Sequence, residues 1–70
     1  MSIEELVDAL KHQATEIMKG AKALSDRLEE KRKAGGLKPD EEKEWLKAIQ
    51  ANVKKAQELR ADVQALLKLR

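Results

Sequence analysis

Ala34-Gly35-Gly36-Leu37-Lys38-Pro39-Asp40 is the stretch that decides the fold. Gly35 and Gly36 can take the positive φ that ends a helix, and Leu37 can fold back on the last turn. Pro39 carries the fixed φ suited to a first helical position. The sequence on either side reads as amphipathic helix, so the chain turns once. The residues predict a first helix over about 3–33, a loop over about 34–39 and a second helix over about 40–69, in one unit spanning 1–70.

Working outward towards the N-terminus, Ser2 followed three residues later by Glu5 forms the pattern of a capping box, which places the helix start near Ile3. Glu4, Glu5 and Asp8 lie at the positive end of that helix and Lys31-Arg32-Lys33 at its negative end, as the macrodipole favours. Ile3, Val7, Leu10, Ala14, Ile17, Ala21, Leu24 and Leu28 alternate in steps of four and three, the spacing of a coiled-coil seam. Towards the C-terminus the seam recurs as Trp45, Ile49, Asn52, Ala56, Leu59, Val63, Leu66 and Arg70. Leu46, Val53 and Leu67 form a second stripe beside it, and Leu6 and Met18 flank the seam of the first helix.

Folding at the glycine pair sets Leu28 opposite Trp45, Leu24 opposite Ile49, Ala21 opposite Asn52, Ile17 opposite Ala56, Ala14 opposite Leu59, Leu10 opposite Val63 and Val7 opposite Leu66. In the central layers a small residue meets a larger one, as close packing requires. The expected fold is all-α, an antiparallel two-helix hairpin of coiled-coil type with arms about 45 Å long. This alternation of small and large seam residues resembles the Rop-like hairpins, which dimerise into antiparallel four-helix bundles. The resemblance implies a homodimer and, as an alternative function, RNA binding through lysines on the arms. No residue motif of that family's RNA site is present, and the glycine loop is longer than its tight turn.

Seventy residues bury little apolar surface alone, so a second subunit is expected where no disulfide or thiolate metal site can form: the chain has no cysteine. The composition is 40% charged and 1% aromatic, which suits long helices. A net charge of +2 gives little electrostatic drive towards nucleic acid or an anionic membrane. No apolar run reaches the roughly 18 residues of a membrane span. Met1-Ser2-Ile3-Glu4-Glu5 is acidic where a secretory signal is basic, and the expectation is a cytoplasmic protein with no cofactor.

Asp8, His12 and Glu16 share one strip of helix surface at four-residue spacing. They supply one nitrogen ligand where zinc takes several, so the strip reads as solvated surface and no metal is expected. Glu29-Glu30 and Glu41-Glu42 are adjacent in sequence and diverge around the helix, which removes them as paired catalytic carboxylates. Thr15 has no base-and-orienter pair, and no catalytic residue is expected. Lys31, Arg32, Lys33 and Lys38 gather at the loop end and are the candidate nucleic-acid contacts, weighed against their ordinary role as dipole complements.

Trp45 reads as core closing the loop end, and Asn52 as a polar seam residue that fixes register. Gly20, beside Ala21, marks a place where another backbone could come close. Leu46, Val53, Leu67, Met18 and Leu6 are the expected dimer or partner interface. The functional expectation is a non-catalytic interaction module that self-associates, leaving room for a second protein partner, in the manner of an adaptor, an inhibitor or a designed scaffold.

Overall fold

The computed structural model describes residues 2–69. Helix α1 spans Ile3–Ala34 and helix α2 spans Pro39–Lys68. Ser2, in extended conformation, caps α1: its Oγ accepts from the Glu5 N–H at 3.1 Å. Satisfying an orphan donor at this end is worth about 1 kcal/mol. At the other end Gly35 takes φ 76° and ψ 9°, and its N–H donates to the Arg32 carbonyl at 3.1 Å. Of the glycine pair, Gly35 alone has positive φ. Ala34, with no reason to leave the helix, stays in it, so α1 ends one residue beyond the expected boundary.

Lys38 stands at the N-cap of α2 in extended conformation, followed by Pro39 at the first helical position. The Glu42 N–H donates to the Lys38 carbonyl at 2.9 Å, which starts the helical ladder. A lysine side chain has no acceptor, and no side-chain cap bond forms here. Asp40, Glu41 and Glu42 supply the negative charge this end favours, and Lys38 opposes it. Lys38→Asp is therefore expected to raise stability by about 0.5–2 kcal/mol, seen as a melting temperature several degrees higher. A lower melting temperature would mean that the lysine makes a contact worth more than the missing cap.

The two helices pack along their whole length into a rod of 52 × 15 × 14 Å. Every described member of the expected seam is buried or half-buried; Arg70 lies outside the described residues. Burial divides the seam of α1 into two rows, and α2 follows the division less strictly. Val7, Ala14, Ala21 and Leu28 of α1 are buried, and in the same row Ala56 and Val63 of α2 are buried while Ile49 is half-buried. Ile3, Leu10, Ile17 and Leu24 of α1 are half-buried, and so are Trp45, Asn52 and Leu66 of α2, while Leu59 is buried. The inner row holds small residues at its centre, where Ala56 is 0% exposed, and small side chains let the helices close on that row. Larger side chains in the other row are thereby left at the edge of the contact. Among the described residues no helix is long and apolar enough to cross a membrane.

Candidate interaction surface

At 100° per residue, a residue directly after an edge-row position lies on the inner-row side of its helix, and one directly before an inner-row position lies on the edge-row side. Because α2 runs antiparallel to α1, the like sides of both helices fall on the same side of the hairpin. Met18, Leu46, Val53 and Leu67 therefore share one flank, and Leu6 lies on the other. The five residues expected to form one interface are thus split between two surfaces. On the first flank Leu46 is 38% exposed and Val53, Leu67 and Met18 are half-buried. Arg60 and Lys11, both exposed, interrupt it between Val53 and Leu67.

The second surface is the edge row itself. Leu10, Ile17 and Leu24 run along α1 without a charged interruption, on the same side of the hairpin as Trp45, Asn52 and Leu66 of α2. Leu24, Trp45, Ala48 and Glu44 line a shallow depression of about 290 Å3 on this side. A second depression, on the loop side of Trp45, is lined by Arg27, Glu30, Lys31 and Ala34 together with the indole. Leu6, 37% exposed, extends the same surface towards the free end of the rod. The sequence pattern alone treats the two seam rows alike; the signal that separates them is the placement of Ala14 and Ala21 in one row and Ile17 and Leu24 in the other.

Trp45 stands at the loop end and is half-buried. Lys31 places its Nζ 5.6 Å from the ring centroid, a cation–π contact worth about 0.5–1 kcal/mol at an exposed site. Arg32 pairs with Glu42 across the loop. Two of the four loop-end cations are thus engaged within the hairpin, and Lys33 and Lys38 are exposed. Surface pairs such as Arg32 with Glu42 contribute about 0.2–1 kcal/mol, so their effect is on where charge sits more than on stability.

Asp8, His12 and Glu16 are all exposed, and Glu16 pairs with Lys19 at 3.5 Å. Among the described residues no group of three or more histidine, cysteine, aspartate or glutamate side chains is placed to hold a metal ion. A Cβ added at Gly20 would meet nothing within 4 Å, so no backbone of the hairpin comes close there. Asn52 is half-buried in the edge row opposite Ala21. Asn52→Leu is expected to raise the melting temperature, by about 1 kcal/mol in stability, and to broaden the distribution of assembled masses. A lower melting temperature with an unchanged mass would remove the register role. No protein-family model, curated protein or solved structure matches this chain.

Proposed function

We propose that this chain is a non-catalytic helical interaction module that self-associates as a homodimeric four-helix bundle and, through the surface left over, binds a protein partner in the cytoplasm. The observation that carries the reading is the surface the hairpin leaves in water. Its accessible area is 5462 Å2, against about 4,400 Å2 for a compact monomer of this mass. The radius of gyration is 15.9 Å, against about 11 Å for a compact domain of this length. The surplus of about 1,000 Å2 per chain is comparable to the roughly 800 Å2 each partner contributes to a stable interface.

A lone helical pair this thin has little interior with which to offset the entropy of ordering its backbone. Pairing with a second copy supplies that interior, and a two-fold arrangement closes on itself without leaving a sticky edge. Crossing angles near about 20° are those of such bundles. Sedimentation velocity across a wide concentration range tests the reading, with a dimer expected wherever the chain is folded. A well-folded monomer at all concentrations would overturn it. RNA binding is weakened as a reading by the engagement of Lys31 and Arg32; retention of RNA that nuclease removes, from protein purified without nuclease, would restore it.

A further inference from the structure

We infer that the second copy covers the edge-row face, centred on Ile17, Leu24 and Trp45, and leaves the Leu46–Val53–Leu67 flank open. The inference rests on the self-association reading and adds the face to it. Three observations support this choice. The edge row of α1 offers large aliphatic side chains, all half-buried, with no charge between Ile3 and Leu24 along the row. The opposite flank is cut by Arg60 and Lys11, whose burial without partners would be costly.

The rim supplies the second observation. The positions directly flanking the edge row carry Arg27 and Lys55 together with Glu41 and Asp62, all exposed. Both signs are present in equal number, which suits a copy of the same surface rather than a partner of one charge. The third is room. Gly20 and Ala48 lie on this rim, a Cβ on Gly20 would meet nothing within 4 Å, and Ala48 lines the apolar depression beside Trp45. A neighbouring helix can approach closely at both places. Asn52, in the middle of the face, is the polar group that would specify register once covered.

Trp45 is the chain's one tryptophan and lies on this face, so it reports directly on coverage. As concentration is raised through the dissociation constant, its emission maximum should move to shorter wavelength and quenching by iodide should fall. Two substitutions at exposed positions on opposite sides of α2 complete the test. Ala48→Glu should weaken dimerisation roughly tenfold or more, while Leu46→Glu should change it by less than about threefold. Both keep good helix formers at exposed sites, and circular dichroism on each variant at high concentration verifies the fold. A sedimenting dimer with no change in Trp45 emission, or one broken by Leu46→Glu and not by Ala48→Glu, would overturn the assignment of the face while leaving self-association intact. Absence of any dimer would overturn both.

Discussion

Leu59→Ala is expected to destabilise the hairpin by about 2–5 kcal/mol, and Ala14→Leu by about 1–3 kcal/mol, while the double variant recovers much of the combined loss. Both residues are buried, and the seam register sets them opposite each other in the central part of the hairpin. Removing the leucine leaves a cavity with an alanine on its far wall, so nothing nearby is long enough to fill it. Adding a leucine at position 14 instead forces two large side chains into one layer. Swapping the two restores the volume of the layer and reverses its polarity, which the constant pairing of small with large permits. A chain of this length has a total stability of about 4–10 kcal/mol, so Leu59→Ala alone can unfold most of it. Chemical denaturation of the two single variants and the double variant gives the interaction energy. Strictly additive losses would show that residues 14 and 59 are not layer partners and that the helices pair in another register.

The turn and the seam are written in local chemistry, and for that reason the hairpin can be read from the residues. Gly35 ends α1 because it adopts φ 76° without a Cβ clash, and Pro39 opens α2 because its φ is already helical. The four-and-three spacing then fixes which residues meet. What the spacing leaves undecided is how far each helix rotates about its own axis. Both seam rows satisfy the same repeat, and only the summed volumes of Ala14, Ala21 and Ala56 against Ile17, Leu24 and Trp45 turn the first row inward. That rotation is a tertiary property. It decides that Leu6 parts company with Met18 and Val53, and that Ile17 and Leu24 keep surface in contact with water. The Arg32 to Glu42 pair escapes a sequence reading for a related reason, since it depends on how the four-residue loop aligns two helix ends. Of the candidate site, the presence of leftover apolar surface is legible in composition and length; its division into two faces is not.

Ile17→Asp is expected to leave the chain largely unfolded at low concentration, with Val53→Asp far milder. Ile17 sits at the middle of α1's edge row, and the seam register sets it opposite Ala56, which is fully buried. Its side chain serves the hairpin on one side and, on the reading given above, the second copy on the other. Truncating an isoleucine at such a site costs about 2–5 kcal/mol, and a short carboxylate there adds desolvation, because aspartate cannot extend to water as lysine does. The sum reaches the whole stability expected of a domain this size. Loss of the dimer removes the stabilisation that mass action gives the folded form, so unfolding should deepen on dilution. Val53 is also half-buried and also in mid-helix, so the two substitutions share the helix-propensity cost and differ in the face they charge. Val53→Asp should retain a folded dimer whose melting temperature falls by an amount set by partial burial alone. Helicity followed by circular dichroism over a dilution series distinguishes them. If Ile17→Asp stayed helical and dimeric while Val53→Asp dissociated, the burial that holds two copies together would lie on the Leu46–Val53–Leu67 flank.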